Sequence, residues 1–316
     1  TARFSALYGH WYPHERSFGG YARALVNQIK GTVLSMRAIR AITPGAQFVS
    51  TEDGGKTWST PALHEICEER EQRRWLGLDL LCGRVDRAHP LFPFLIRHGI
   101  TEREILWFAD NPCPPDVIGL NYYLTSDRFL DHRVWMYPDW LAGGDTGSEP
   151  LVDIEAVRLR QGGIAGVGAI LTEAWERYRL PVAITECHLG GGWDGDPVRW
   201  LAEVWTEAAE TRRAGVDVAA ITVWSLLGSW DWCSLVTCDN GVYEPGVFDI
   251  RGGNPIPTPL AAAVKSLAGG EPLQAEGAGW WRHPERFNFA PVSENDRQAA
   301  EGEPCCAVEQ APAYAV

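Results

Sequence analysis

No stretch of the 316-residue chain approaches 18 uninterrupted apolar residues, so no membrane-spanning helix is expected. Cations are outnumbered: 28 Lys and Arg stand against 41 Asp and Glu, a net charge of −13. That balance argues against nucleic acid or an anionic membrane surface as a partner, since both require clustered Lys and Arg. Methionine occurs only as Met36 and Met136, and the first residue is Thr1. The expectation is that a leader has been removed or that this is the back part of a longer protein. The N-terminus has no basic-then-apolar pattern of a signal peptide. The eight cysteines (67, 82, 113, 187, 233, 238, 305 and 306) include no C-x-x-C pair and no zinc-type spacing. They read as reduced thiols of a cytoplasmic protein, with Cys305 and Cys306 incidental in a tail. No dinucleotide fingerprint is present, because the glycines between 162 and 168 fall in a helical stretch and not after a strand. No cofactor and no metal are therefore expected, and no internal repeat is found.

What the chain has in quantity is tryptophan, with 15 residues, on a background of 45% apolar and 22% charged residues typical of a folded domain. Indoles need both cover and a partner for their N–H. They indicate either a Trp-rich core or a sugar site, where flat rings stack on pyranose faces.

Periodicity predicts helices over 21–41, 61–81, 153–179 (with Gly-rich interruptions), 196–213 and 259–267. Between them lie short apolar runs bounded by Gly or Pro: 46–50 (AQFVS), 117–122 (VIGLNY), 182–185 (VAIT) and 218–224 (VAAITVW). Strands of this kind are buried on both faces, which predicts an α/β protein with a parallel sheet wrapped by helices. A barrel and an open doubly wound sheet both satisfy the pattern. Beyond about Gly269 the composition shifts to Gly, Pro, Ala and Glu. Residues 1–269 are expected to form the folded unit. Residues 270–316 are expected to be a tail or linker, disordered beyond about 290, in which Trp280 and Trp281 dock back.

Reactive groups in parallel α/β folds collect at the C-terminal ends of strands. Here those ends carry Asn121-Tyr122-Tyr123, Thr185-Glu186-Cys187-His188 and Trp224-Ser225, the last leading into Trp230-Asp231-Trp232. A glutamate closing the apolar VAIT run is costly to bury unless it is paired, or else it merely reaches solvent at the rim.

These segments resemble the family 1 glycoside hydrolases, the retaining β-glucosidase family. DVIGLNYYLTS (116–126) is similar to its D-F-I-G-I-N-Y-Y pattern, and PVAITE (181–186) to its P-I-x-I-T-E-N-G nucleophile strand. VWSLLGSWDW (223–232) is similar to V-W-S-L-L-D-N-F-E-W, and VFDI with PTPLA (247–261) to the closing V-Y-V-D and P-K-P-S-A stretches. YGHWYPH (8–14) resembles the Y-G-x-H-A-P-G loop.

The resemblance implies a TIM (β/α)8 barrel and O-glycosyl hydrolysis of a small-molecule β-glycoside. It makes Glu186 the nucleophile and Tyr123 the phenol that orients it, with Asn121 beside it. Trp224 and Trp232 become the sugar platform. Asp231 falls where the family has a glycone-binding Glu, and is one methylene shorter.

The departures carry weight too. No Asn-Glu-Pro acid/base motif occurs in the chain. In the family it precedes the Y-G-x-H-A-P-G loop, so strands 1–4 and the acid/base are expected to be missing. The chain would then cover barrel strands 5–8 and be inactive alone. Cys187-His188 replaces Asn-Gly, and Gly228-Ser229 replaces Asp-Asn.

Three smaller readings stand beside this. TEDGGKTW (51–58) fits the Asp-box turn of sialidase-type propellers, though such boxes recur once per blade and one is found. In the barrel reading the same stretch is a loop after strand 5, where Glu52 or Asp53 either lines the cleft or belongs to a solvated turn, the more common case. Cys187-His188 raises a thiol nucleophile or a metal ligand against simple packing, while His10, His14 and Arg3 sit near the mouth. A non-enzymatic alternative is a sugar-binding or scaffold module. Its Trp280-Trp281-Arg282 and Pro284-Glu285 resemble the join to a nucleotide-sugar reductase in some bacterial fusions, which would make such an enzyme a fused or associated partner.

Overall fold

The computed structural model describes residues 1–143, 150–190, 195–273 and 275–292. The Cys305-Cys306 pair and the tail beyond 292 lie outside the described residues. Helices α1 (Phe18–Ile42), α2 (His64–Leu81), α3 (Phe92–Arg97), α4 (Glu102–Asp110), α5 (Val167–Tyr178), α6 (Asp196–Arg213) and α7 (Pro259–Ala268) alternate with strands. The main strands are β1 (Val49–Asp53), β3 (Val117–Asn121), β6 (Val182–Cys187) and β7 (Val218–Val223). The smaller ones are β2 (Thr57–Ser59), β4 (Arg128–Asp131), β5 (Val152–Glu155), β8 (Ser229–Trp230), β9 (Tyr243–Glu244), β10 (Phe248–Asp249) and β11 (Ile256–Pro257).

The four main strands form one parallel sheet in the order β1-β3-β6-β7. Each new strand is added on the same side as the last. A doubly wound sheet needs a reversal of strand order, where its helices change face. Here there is none, and right-handed crossovers keep the helices on one side. The sheet is therefore an arc of a barrel, one of the two arrangements the α/β reading allows, and the single Asp-box match belongs to no propeller. The core lies between sheet and helices, where Ile118, Leu120, Val182 and Ile184 meet Leu76, Leu78, Ile170, Leu171, Trp200 and Val204, all at most 1% exposed.

Close strand spacing depends on Gly119. A Cβ there would lie 2.2 Å from the Ser50 carbonyl oxygen and 2.4 Å from Thr185 Cγ2, so both neighbouring strands approach a residue without a side chain.

Two predicted elements are corrected. The first strand lies three residues later than 46–50, which puts Glu52 and Asp53 on the strand itself. The helix expected over 153–179 is really α5 preceded by β5, which pairs antiparallel with β4 in a small β2-β4-β5 sheet. The stretch VDIE alternates buried and half-buried residues, a period of two that decides for strand. Gly166, at φ 88°, then lets the chain turn into the helix. Helices α3 and α4 lie outside the elements that periodicity predicts. The second begins with a capping box, in which Thr101 and Glu104 satisfy each other's backbone amides.

Residues 280–292 pack back on the body. Trp281 stacks edge-on against Trp200 with centroids 5.7 Å apart, and its indole N–H donates to Glu203 at 2.9 Å. The buried Arg286 guanidinium donates to the carbonyls of Val157, Arg160 and Gln161.

Candidate functional site

The C-terminal ends of the four main strands meet in one row. Asp53 on β1 is in register with Asn121 on β3, and Asn121 with Glu186 on β6. A register irregularity between Leu120 and Asn121 skips one residue of β6. Thr185 donates its hydroxyl to Asn121 Oδ1 at 2.8 Å, which fixes the amide beside the carboxylate.

The Tyr123 hydroxyl donates to Glu186 Oε2. Burial pushes the Tyr123 phenol far above its ordinary range, and the bond to Glu186 adds to the rise. The hydroxyl therefore keeps its proton and remains a donor across the working pH range. A phenol aimed at one carboxylate oxygen orients the carboxylate and leaves its other oxygen free of that bond.

Beyond β7 the chain turns sharply, and the Trp224–Ser225 peptide bond is cis. The ring of Trp224 lies 5.2 Å from that of Trp232 at 43°, so two indoles sit side by side next to the β6 end. Trp224 is held to that strand by its backbone: its N–H donates to the Cys187 carbonyl at 3.0 Å.

Asp231 is engaged within its own loop. It is 7% exposed, adopts φ 54°, and accepts the amides of Val242 at 2.9 Å and Gly241 at 3.3 Å. Its carboxylate thereby stitches the 231–242 loop together.

The first residues lie along the same face. Arg3 pairs with Asp53 at 2.7 Å, and Trp11 donates its indole N–H to the Leu235 carbonyl at 2.7 Å. The segment thus runs from the β1 end to the loop that follows β7. His10 packs among Phe4 and Tyr8, and His14 Nδ1 contacts the Gly9 carbonyl, so both build this segment.

Cys187 is buried, which pushes its thiol up to about 12; that disfavours the thiolate a nucleophile or metal ligand needs. Among the described residues no group of three His, Cys, Asp or Glu side chains is placed to hold a metal ion. His188 has a partner that local motifs could not reveal: Glu244, 56 positions away, at 3.0 Å. Arg3 and Asp53 stand 50 positions apart in the sequence, and only the fold shows them as a pair.

No family model and no curated protein sequence matches the chain. Solved structures do. The family 1 β-glucosidase of Thermotoga maritima superposes with a TM-score of 0.66 at 17% identity over 86% of this chain and 61% of that one. The same organism's β-glucosidase bound to azafagomine gives 0.66 at 18% identity, and bound to deoxynojirimycin 0.64 at 17%, each over 86% of this chain and 62% of the other. The shared feature is the fold, the α/β architecture of a TIM barrel. The chain spans about 62% of the length of these structures. Among the described residues, no helix is long and apolar enough to cross a membrane.

Proposed function

We propose that this chain carries the nucleophile side of a retaining β-glycosidase site. The observation that carries the reading is the Tyr123–Glu186 hydrogen bond at the end of a barrel strand, beside the Trp224–Trp232 pair. In the proposed reaction Glu186 attacks the anomeric carbon as the bond to the aglycone oxygen breaks, giving a glycosyl-enzyme. A second carboxyl group, about 5–5.5 Å away in retaining enzymes, protonates the departing oxygen and then activates water. Tyr123 aims one oxygen of Glu186 and so presents the other for attack. Trp224 and Trp232 offer an apolar wall for the sugar ring, and Asn121 lies within reach of a hydroxyl on the same sugar.

The acid/base is not supplied by any Asn-Glu-Pro motif in this chain, and Asp53, the other carboxylate in the row, is ion-paired with Arg3. Our reading is accordingly of a site that can be glycosylated by a substrate whose leaving group needs no protonation, and that turns over natural glycosides poorly or not at all. A non-catalytic sugar-binding or scaffold module is the second reading; it takes support from Asp231, whose oxygens accept loop amides and so brace the loop instead of holding a glycone hydroxyl.

The test is intact-mass analysis after incubation with 2,4-dinitrophenyl 2-deoxy-2-fluoro-β-glucoside. A one-sugar adduct that maps to Glu186 and disappears in Glu186→Gln supports the proposal. No adduct, or an adduct at another residue, removes the nucleophile assignment. Retained binding of the sugar without any adduct favours the module.

A further inference from the structure

His188 lies directly after the β6 end and is 9% exposed. Its Nδ1 is 3.0 Å from the Trp224 carbonyl oxygen, and its Nε2 is 3.0 Å from Glu244 Oε2. A carbonyl oxygen can only accept, so Nδ1 must carry a proton and donate it. That leaves Nε2 facing the Glu244 carboxyl group, with one proton between them on either partner. Glu244 is itself 9% exposed, and its carboxyl group is seated against backbone: a Cβ on Gly190 would lie 2.3 Å from Oε2.

The imidazole also meets the Trp224 indole edge-on, with centroids 4.6 Å apart at 80°, and the Tyr123 ring at 6.3 Å and 79°. Trp224 is thus gripped at both backbone polar atoms by consecutive residues. Cys187 takes its N–H through a carbonyl, and His188 supplies a donor to its C=O. A parallel strand pair at this point has only backbone bonds to set spacing. The histidine adds a side-chain bond and a ring contact that fix the plane of the indole.

We propose that His188, braced at Nε2 by Glu244, is a positioning residue that fixes Trp224 relative to Glu186 and Tyr123. This rests on the reading of Trp224 as part of a sugar platform. His188 itself touches no substrate; it acts through the indole.

The experiment has two arms, both on the full 316-residue chain. In the first, nitrogen-15 histidine spectra are assigned by the signal lost in His188→Asn. The expected result is a protonated, exchange-protected Nδ1. A bare Nδ1 with the proton on Nε2 alone overturns the grip, whatever the protein binds.

In the second, deoxynojirimycin is titrated into four proteins. His188→Ala is expected to weaken binding about tenfold or more, roughly the worth of one well-made hydrogen bond. His188→Asn places an amide N–H near the Nδ1 position and is expected to recover part of that loss. Glu244→Gln, whose side-chain amide can donate to Nε2 and leave the proton on Nδ1, is expected to stay within about threefold of the wild type. Equal binding by His188→Ala and wild type, or no recovery in His188→Asn, overturns the proposal. A wild-type chain that binds no deoxynojirimycin removes the glycoside reading instead, and the tautomer measurement still judges the grip.

Discussion

Replacing Gly119 with alanine tests the frame on which the whole site hangs. The new Cβ would stand 2.2 Å from the Ser50 carbonyl oxygen and 2.4 Å from Thr185 Cγ2. Comfortable contacts begin near about 3.5 Å, so each neighbouring strand must recede by roughly 1 Å. Neither neighbour is the far end of a flexible side chain: one is backbone, and the other is a β-branched residue whose hydroxyl is committed to Asn121. Overpacking of this kind costs about 1–3 kcal/mol. The reduced freedom of the unfolded chain returns about 0.4–1 kcal/mol, less than the clash takes away.

Gly31 is the matched control. It lies inside α1 with nothing outside its own stretch of helix within 4 Å of its would-be Cβ, so Gly31→Ala should stabilise by about 0.5–1 kcal/mol through helix propensity alone. The assay is urea denaturation of both variants beside the wild type. Opposite shifts of the two midpoints are expected, the Gly119 variant falling and the Gly31 variant rising. A Gly119→Ala protein as stable as the wild type would refute the β1-β3-β6 spacing. With it would go the row of Asp53, Asn121 and Glu186.

Further outcomes follow from individual contacts. Tyr123→Phe deletes a hydrogen bond to a charged group, worth about 1.5–3 kcal/mol, and should slow fluoroglycoside labelling of Glu186 by roughly 10–150-fold, read as the rate of adduct formation. Trp281→Ala removes a buried indole that stacks on Trp200 and bonds Glu203, and should destabilise by about 3–5 kcal/mol in a urea melt. Burial raises the Glu52 carboxyl group to about 7, against the pull of Arg3. The folded state then holds a proton that the unfolded chain releases near 4.5, so this contribution to stability is full below that pH and is lost as pH rises through about 7. Glu52→Gln should therefore gain on the wild type between pH 5 and pH 8 in paired thermal melts, and an unchanging difference would remove the assignment.

The elements read most accurately were those whose information is local. The helix over 196–213 has Pro197 in its first turn and a clear apolar stripe, and it lies where the periodicity places it. The VAIT strand is legible because three consecutive apolar residues and a threonine, bounded by Pro181, suit burial on both faces. The first strand was misplaced because AQFVS is apolar enough to look like a strand, whereas pairing with Val117–Asn121 draws the ladder onto the polar VSTED instead. In that strand Ser50 is the buried residue and Val49 is exposed, so backbone pairing with β3, rather than hydrophobicity, sets the register there. The helix over 153–179 was misread because a period of two across only four residues is hard to separate from an interrupted helical pattern.

The same division runs through the candidate site. Glu186, Tyr123 and Trp224 each end an apolar run, so their arrival at one edge of a parallel sheet follows from order along the chain and from strand direction. That much the sequence determines by itself, because strand ends are set by local pattern and parallel pairing brings like ends together. Whom each side chain then touches is another matter. Asp231 turns to the amides of residues 241 and 242, and His188 finds Glu244 across 56 positions, because loops of Gly, Pro and Asp leave many closures open to the chain. Only tertiary packing, which gives most buried polar atoms a partner, selects one of them.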